Sequence, residues 1–489
     1  MMVIELLTTL HLAAALLLAV YAAGALVLLV GYWRHRSAAP PAPPPVIMWP
    51  SVVVQLPVYN ERYVVKRLLD AAASLDYPRD RLCIQLLDDS TDDTSAIAAA
   101  HIAALRAAGL QVDHIRRANR AGYKAGALAH GLALTACELV AIFDADFLPA
   151  PDFLRRTVPY FCADPRLGMV QTRWGHLNAA CNWLTRGQAL ALDGHFVVEQ
   201  TARSRAGWLM NFNGSAGVWR ADCIRAAGGW RDTTLAEDLD LSYRAQLTGW
   251  RFLYLGDVVV PAELPPQLAA YKQQQARWAA GSTRTLALLL GPVWRSRLTL
   301  PQRVMATLHL CQYLPHPLML LMLLLTPPLL ALHGLHALPL GPLGALGLAP
   351  PLIYAVSQRA LYPDWPRRLA AFPLLLALGT GTAWNNTCAV LGALLPSAWP
   401  AEFRRTPKFA AAWAESSYAL AADWSTLAEA LLALYALLGA ALALHSQPAL
   451  IPWLALYAYA FGLVAAVGMR DQLLRRRRAQ RLRRTPALQ

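Results

Sequence analysis

Acidic side chains follow two apolar segments in the first half of the chain, at the point where a β-strand would end. Asp88 and Asp89 follow one segment, and Asp144 and Asp146 follow another. Two carboxylates at positions i and i+2 can reach one hard cation, and Mg²⁺ or Mn²⁺ commonly holds a diphosphate through one or two carboxylates. A single acidic pair is more often a turn or a helix cap. Two such pairs at successive strand ends favour a metal-assisted nucleotide diphosphate site.

Three charged residues further along the chain suit the same chemistry. Lys124 stands near the start of a predicted helix between Gly122 and Gly126, where a cation and backbone N–H groups can face phosphate. Glu237 and Asp238 open an amphipathic helix. A carboxylate at a helix start is ordinarily a cap. Asp238 can instead serve as the base that takes a proton from an acceptor hydroxyl.

One short segment adds a cation and an aromatic ring, since Gln274, Arg277 and Trp278 follow closely on one another. Arg277 can neutralise a leaving diphosphate with a planar fork of N–H groups that lysine lacks. The indole of Trp278 offers a flat apolar face to a sugar ring. A diphosphate site, a base and a sugar platform together indicate transfer of a sugar from an activated nucleotide.

The elements that must position these residues alternate between short β-branched runs and helical patterns. Strands are predicted at 52–56, 82–87, 112–115 and 139–143, and helices at 61–75, at 91–108 and from 124 onwards. This alternation predicts a mostly parallel α/β sheet, in which ligands bind beyond the carboxyl ends of the strands. No GxGxxG follows the first strand, so a dinucleotide-binding site is not expected.

Taken in order, the motifs resemble the D, DxD, TED and QxxRW series of the processive family-2 glycosyltransferases, the cellulose synthase group. The resemblance is closer to the cellulose-synthase-like A group, the β-mannan or glucomannan synthases. The segments that carry it are LDDSTD at 87–92, VQTRW at 170–174, FNGSAGVWR at 212–220 and QQQARW at 273–278. Ala236 stands where the usual motif has Thr. Because both following carboxylates are retained, we expect this departure to be tolerated.

The resemblance implies a GT-A fold, inversion at the anomeric carbon, Mg²⁺ or Mn²⁺ as cofactor, and a role for each matching residue. These roles are the nucleoside for Asp88 or Asp89, the diphosphate for Lys124 and Arg277, the diphosphate through the metal for Asp144 and Asp146, catalysis for Glu237 and Asp238 with Asp238 as the base, and the acceptor for Gln274 and Trp278. The donor is expected to be GDP-mannose or UDP-glucose, and the product a growing β-glycan, either a β-1,4-linked mannan or a β-1,4-linked glucan.

The composition predicts a membrane protein, because 56% of the 489 residues are hydrophobic and only 15% are charged. The apolar residues are concentrated in 6–32 and 304–469, on either side of a more polar stretch. The expected fold is an α/β GT-A domain between an N-terminal transmembrane helix and a C-terminal α-helical bundle. The expected segments are an anchor at 1–36, a Pro-rich linker at 37–50, the catalytic domain at 51–263, interfacial helices at 264–303, a membrane pair with an interfacial or re-entrant segment at 304–395, a cytosolic gating-like loop at 396–426, a hairpin at 427–469 and a basic tail at 470–489.

The distribution of charge predicts which side faces the cytosol. Lys and Arg are missing before Trp33, whereas Arg34 and Arg36 follow the first apolar segment, so its C-terminal end should be cytosolic. Two later basic loops, at 359–368 and 402–409, should lie on the same side. The apolar stretch 369–395 between them is interrupted by Gly and Asn and is therefore expected to lie at the interface or to re-enter. The loop at 402–409 also resembles the gating loop of cellulose synthases, which lies over the active site.

The segments 304–333 and 337–356 are expected to form a pair of membrane spans. Three polar residues in the first of these segments have two interpretations. His309, Gln312 and His316 can line a polar glycan path or form hydrogen bonds between helices.

The expected partners are a nucleotide sugar, a growing glycan or lipid acceptor and the bilayer, but not nucleic acid. Much of the net charge of +14 lies in a basic tail that suits a cytosolic membrane surface. The seven cysteines show no CxxC pair, which suits a reducing compartment such as the cytosolic side of a bacterial inner membrane.

Two other functions remain open at this stage. A non-processive glycolipid synthase of the ceramide glucosyltransferase type carries a similar QxxRW motif and a membrane domain. A transporter with a regulatory domain would need broken or charged helices in symmetric halves, and it would leave the motifs of the polar domain unexplained.

Overall fold

The computed structural model describes residues 2–38, 40–335, 346–395, 402–409, 416, 418–420 and 424–484, with the backbone alone for 475–484. Several predictions fall outside these residues. They concern the basic side chains of the tail, part of the predicted span at 337–356 and part of the loop at 396–426.

Seven strands form one mixed, mostly parallel sheet in the order β3-β2-β1-β4-β6-β5-β7. The strands are β1 Val52–Val58, β2 Leu82–Asp88, β3 Val112–Arg116, β4 Leu139–Ile142, β5 Leu167–His176, β6 Gly217–Arg220 and β7 Arg251–Ala262. The β1, β2, β3 and β4 strands pair in parallel, as do β5 and β7, whereas β6 runs antiparallel between β4 and β5. This confirms the predicted mostly parallel α/β sheet.

Helices cover both faces of the sheet. They are α2 Val65–Ala73, α3 Thr94–Ala107, α4 Tyr123–Ala133, α5 Phe153–Ala163, α6 Trp183–Gly194, α7 Thr201–Arg205, α8 Ala221–Ala226 and α9 Glu237–Leu247, with a π-helical segment, His195–Gln200, between α6 and α7. Alternate residues of a strand point to opposite faces, so Val54 packs against Leu68 in one core and Val53 packs with Leu128 in the other. Burial on both sides explains why these strands are almost uniformly apolar.

Further helices flank this domain on both sides in the sequence. They are α1 Met2–His35, α10 Leu268–Arg295, α11 Leu300–Leu310, α12 Pro315–Ala331, α13 Ala349–Leu361, α14 Trp365–Arg368, α15 Phe372–Gly381, α16 Ala383–Leu394, α17 Ser425–Ser446 and α18 Ile451–Arg484. Within the described ranges, three helical stretches are long and apolar enough to cross a membrane, namely Met2–His35, Ser425–Ser446 and Pro448–Leu474. A fourth is added if α11 and α12, which are bent by 65°, count as one span.

Two membrane segments are broken rather than continuous. The segment 304–333, predicted as one span, contains the bend between α11 and α12, because Pro315 lacks a backbone N–H and begins a new helix at its first turn. The interruption predicted in 369–395 lies at Thr382, between α15 and α16. Close packing adds to this second break, since a Cβ on Gly381 would lie 2.5 Å from a methyl group of Val464.

Candidate active site

A cavity of about 410 Å³ lies beyond the carboxyl ends of β1, β2 and β4. Tyr59, Asp89 and Asp144, which each follow one of these strands, contribute to its lining. Parallel strands bring their carboxyl ends to one edge of the sheet, so side chains that are distant in the sequence converge there. The cavity therefore lies where the sequence predicted a ligand site.

The two carboxylates of the DxD turn are each bound to a lysine. Asp144 Oδ1 lies 2.6 Å from Lys124 Nζ, and Asp146 Oδ2 lies 2.8 Å from Lys408 Nζ. Asp146 Oδ2 also accepts a hydrogen bond from the backbone N–H of Glu263, at 3.0 Å. Burial raises the pKa of Asp146, although the Lys408 ammonium opposes this rise. Lys408 compensates a charge at Asp146 that is buried, whereas Lys124 pairs with the part-exposed Asp144.

Asp144 and Asp146 fit a hard divalent cation. Both line the cavity, and Asp146 Oδ1 is buried without a hydrogen-bond partner among the described residues. Nowhere in the described part of the chain do three or more His, Cys, Asp or Glu side chains form a group suited to a metal. A metal held by this pair would therefore take its other ligands from substrate and water, as Mg²⁺ commonly does at diphosphate sites.

Lys124 lies at the centre of the acidic groups. Its ammonium donates a hydrogen bond to the carbonyl oxygen of Gly214 at 2.7 Å and lies 3.7 Å from Glu237 Oε1. Burial lowers the pKa of Lys124, but the neighbouring Asp144 and Glu237 outweigh it, so the pKa is raised overall. Gly214 has a φ of +82°, and a Cβ there would lie 2.9 Å from Asp238 Oδ2. Glycine is thus required for the backbone to pass between Lys124 and Asp238.

Asp238 lies in the first turn of α9 and lines the cavity. Its Oδ1 accepts a hydrogen bond from the backbone N–H of Leu239 at 2.8 Å. Burial and the adjacent Glu237 raise the pKa of Asp238 to about 7, against the opposing effect of Lys124. A carboxylate with a pKa near neutrality is well matched to the work of a general base.

Packing explains why Ala236 replaces the usual Thr. A Cβ added to Gly281 of α10 would lie 2.7 Å from the nitrogen and 2.8 Å from the Cβ of Ala236. The backbone N–H of Ala236 donates to Thr234 Oγ1, and this hydroxyl donates in turn to the carbonyl of Gly281. Thr234 therefore supplies the hydroxyl contact between the two segments, while the close approach of α10 favours a small side chain at position 236.

Gln274, Arg277 and Trp278 lie on α10 and all line the cavity. The Arg277 guanidinium lies over the ring of Phe403, 4.6 Å from its centroid, and its Nε is buried without a hydrogen-bond partner in the described ranges. Burial lowers the pKa of Arg277, with Glu237 and Asp144 opposing that effect. A buried guanidinium with an unused donor suits an anionic ligand.

The structure distinguishes Asp88 from Asp89, which the sequence could not do. The Asp88 side chain is fully buried. Its Oδ1 accepts a hydrogen bond from the backbone N–H of Ser90 at 2.8 Å, and its Oδ2 lies 2.8 Å from His114 Nε2. Asp89 lines the cavity and forms a two-pronged ion pair with Arg117. Asp88 thus shapes the turn, and only Asp89 of the two is exposed to the cavity.

Sequence reasoning missed the pairing of the loop 402–409 with the acidic residues beneath it. Lys408 contacts Asp146, and Arg405 lies 3.4 Å from Glu61 Oε1. Burial raises the pKa of Glu61 to about 8, although Arg405 opposes the rise. The resemblance of this loop to a gating loop indicated its position over the site, but no local pattern indicated which side chains would meet.

The cavity also reaches helices of the membrane half. Gln312, in the bend between α11 and α12, lines the cavity and donates a hydrogen bond to Ser282 Oγ at 3.1 Å. His309 instead contacts the Tyr243 hydroxyl at 2.8 Å, and His316 contacts the Asn386 amide at 3.0 Å. Of the three polar residues considered above, only Gln312 therefore lines the cavity, whereas the two histidines connect helices.

Comparison with known proteins is consistent with this geometry. A family model described as "Glycosyltransferase like family 2" matches residues 50–281. "Glucomannan 4-beta-mannosyltransferase 2" of Arabidopsis thaliana is 45% identical over 252 residues, which are 51% of this chain and 47% of that protein. "Probable glucomannan 4-beta-mannosyltransferase 7" of Oryza sativa is 46% identical over 237 residues, or 48% and 40% of the two chains. The chain thus spans about half the length of the curated relatives it matches.

A mannosyltransferase of Pyrobaculum calidifontis, solved with GDP-Man and Mn²⁺, has a similar structure, with a TM-score of 0.56 at 24% identity. The match covers 81% of this chain and 100% of that chain, which establishes the GT-A fold. Fold and sequence similarity agree for the domain that carries the cavity. Residues 50–281 thus form a domain similar to glycosyltransferase family 2, and the sequence relatives of this domain are glucomannan 4-beta-mannosyltransferases, the group that the motifs resemble.

Proposed function

We propose that the protein is a membrane-embedded hexosyltransferase that adds mannose from GDP-mannose to a growing β-1,4-linked glycan. One observation carries the proposal. A single cavity contains the Asp144–Asp146 pair, the Asp238 carboxylate and the Arg277–Trp278 segment. The names of the glucomannan mannosyltransferase relatives support mannose as the sugar.

Asp238 would act on the acceptor and the cationic side chains on the donor. As the acceptor oxygen forms a bond to the anomeric carbon of the donor, the bond from that carbon to the diphosphate oxygen breaks, and the acceptor proton passes to Asp238. Lys124 and Arg277 would hold the departing diphosphate by charge and hydrogen bonds. A single displacement of this kind inverts the anomeric carbon, because nucleophile and leaving group occupy opposite faces.

A divalent metal would be held by Asp144 and Asp146, and it would supply positive charge to the diphosphate. The two lysines that pair with these carboxylates would then be free to contact phosphate oxygens instead. We expect Mg²⁺ or Mn²⁺ to serve, since both prefer oxygen ligands. Removal of divalent metal with a chelator should abolish transfer, and either ion should restore it.

Processive extension is the finer part of the proposal. Trp278 offers an indole face for the terminal sugar, and the cavity extends from there to Gln312 and Tyr313 beside the membrane helices. A glycan that leaves the site along this side would enter the membrane half without crossing the donor site. We therefore propose that the product is a polymer that is passed into the membrane domain. Arg34 in the last turn of α1 and Arg36 just after the helix support a cytosolic position for the catalytic domain.

The test is product analysis with purified protein in lipid nanodiscs. GDP-mannose and UDP-glucose are supplied separately with Mg²⁺ or Mn²⁺, and the products are digested with endo-β-1,4-mannanase or endo-β-1,4-glucanase. We expect a mannanase-sensitive polymer from GDP-mannose. A polymer made only from UDP-glucose would overturn the choice of donor. A product that is a lipid carrying one sugar would favour the glycolipid synthase instead.

A further inference from the structure

Two histidine–carboxylate pairs lie where α6 passes into the π-helical segment. His176, at the end of β5, places Nε2 2.9 Å from Asp193 Oδ1 of α6. His195, the first residue of the π-helical segment, places Nδ1 3.1 Å from Glu199 Oε2. Both imidazoles line the cavity. Neither pair is needed for the donor chemistry described above.

The His176 pair leaves a hydrogen-bond acceptor without a partner. The side chains of His176 and Asp193 are 6% and 3% exposed, and Gln358 Nε2 donates to the second oxygen of Asp193 at 2.8 Å. When His176 donates its Nε2–H to Asp193, its Nδ1 carries a lone pair. In the described part of the chain, this buried Nδ1 has no hydrogen-bond partner. Such a group is costly to bury, so it indicates a ligand that donates to it.

The His195 pair lies beside an unused hydrogen-bond donor, the side-chain amide of Asn213. His195 Nε2 lies 2.9 Å from Asn213 Oδ1, so Glu199 and Asn213 hold the imidazole from both sides. Asn213 lines the cavity, and its Nδ2 atom is buried without a hydrogen-bond partner among the described residues. A hydroxyl group both donates and accepts hydrogen bonds, so sugar hydroxyls complement this combination of an unused acceptor and an unused donor.

The local backbone explains how His195 reaches the cavity wall. Val197 and Val198 of the π-helical segment pack against α1 and α13 in one apolar cluster. A π-helical turn is wider than an α-helical turn and changes which residues share a face. The segment can therefore direct its valines to the membrane helices and His195 to the cavity at the same time. Such turns occur frequently at functional sites.

The wall formed by these residues is adjacent to the proposed base. Asn213 directly precedes Gly214, whose carbonyl accepts a hydrogen bond from Lys124 and whose Cα faces the carboxylate of Asp238. We propose that His176 and Asn213 bind hydroxyl groups of the terminal acceptor sugar and so determine which hydroxyl meets Asp238, while His195 holds the Asn213 amide in place. This inference rests on the proposed function, since it assigns the acceptor side of the same site. Asp193 and Glu199 are positioning residues that orient the two imidazoles.

The test measures oligosaccharide binding without turnover. The full-length protein in nanodiscs is titrated with β-1,4-mannotetraose, and separately with GDP and Mg²⁺, by calorimetry. His176→Phe removes the unused acceptor while Gln358 still donates to Asp193, and we expect the Kd for mannotetraose to rise about five- to tenfold. Glu199→Leu should weaken binding similarly, whereas Glu199→Gln, which can still accept the Nδ1–H bond, should restore most of the affinity. The Kd for GDP should stay within about twofold in each variant.

His101→Phe is the matched control. His101 Nε2 lies 2.6 Å from Asp70 Oδ1 at the protein surface. The substitution therefore removes a histidine–carboxylate pair that does not line the cavity. Mannotetraose affinity that is unchanged in Glu199→Leu and His176→Phe would overturn the inference, as would equal losses of GDP and mannotetraose affinity. Failure of the wild-type protein to bind mannotetraose or cellotetraose would also overturn it. Normal oligosaccharide binding without transfer from any sugar nucleotide would instead count against the proposed function alone.

Discussion

Replacement of Asp238 by Asn should remove the base while leaving the donor site intact. Burial and Glu237 raise the pKa of Asp238 to about 7, so about a tenth of the wild-type molecules carry the ionised base at pH 6 and about nine tenths at pH 8. Wild-type kcat/KM should accordingly rise about tenfold over this interval and level off above it. Because the rising limb reports loss of the Asp238 proton, Asp238→Asn should show no such limb.

The expected loss of transfer in Asp238→Asn is about 10²- to 10⁴-fold in kcat, which is the usual contribution of a general base. Affinity for GDP with Mg²⁺ should be retained or increased, because the substitution removes a negative charge beside Glu237 and leaves Lys124 in place. The assay measures polymer-incorporated mannose against GDP affinity, across pH 5.5 to 8.5 in the same preparation of each variant. A parallel loss of GDP affinity and turnover would refute the assignment of Asp238 as the base, as would a retained rising limb near pH 7.

Three further outcomes follow from the site. Asp146→Ala should weaken GDP binding in the presence of Mg²⁺ or Mn²⁺ but not without metal, and an unchanged metal dependence in titrations would contradict its assignment. Trp278→Ala should depress polymer synthesis more than hydrolysis of GDP-mannose by water, and equal losses would make Trp278 a packing residue. A cysteine at Arg404, whose side chain is 71% exposed, should react with an impermeant thiol reagent only after permeabilisation, whereas Thr406 is too buried for this test. Labelling of intact cells would contradict the cytosolic position of the loop.

The sequence was most informative where local pattern and burial coincide. The first four strands were predicted because each is a short apolar run bounded by turns, and the acidic turns were placed together because parallel strands end at one edge of the sheet. The break in 369–395 was predicted from Gly and Asn within an apolar segment, and it lies at Thr382. In each case the pattern that identifies the element lies within the element itself.

The later strands were harder to predict. The antiparallel β6 is only four residues long and lies between β4 and β5, which are separated from each other in the sequence by a helix. The bend between α11 and α12 was also missed, although Pro315 provides a signal for it. A short strand and a proline at a helix start both depend on neighbouring segments for their effect, so neither is decisive in a single sequence.

The sequence by itself determined the residue types of the site, their order and the fold that brings the strand ends together. Only the tertiary structure decided that Lys408 pairs with Asp146, that Asp89 rather than Asp88 reaches the cavity, and that His176 lines the same cavity. These contacts join side chains from segments far apart in the chain. Periodicity records how each segment is buried, whereas the partner of a buried charge depends on how the catalytic domain packs against the loops and helices of the membrane half.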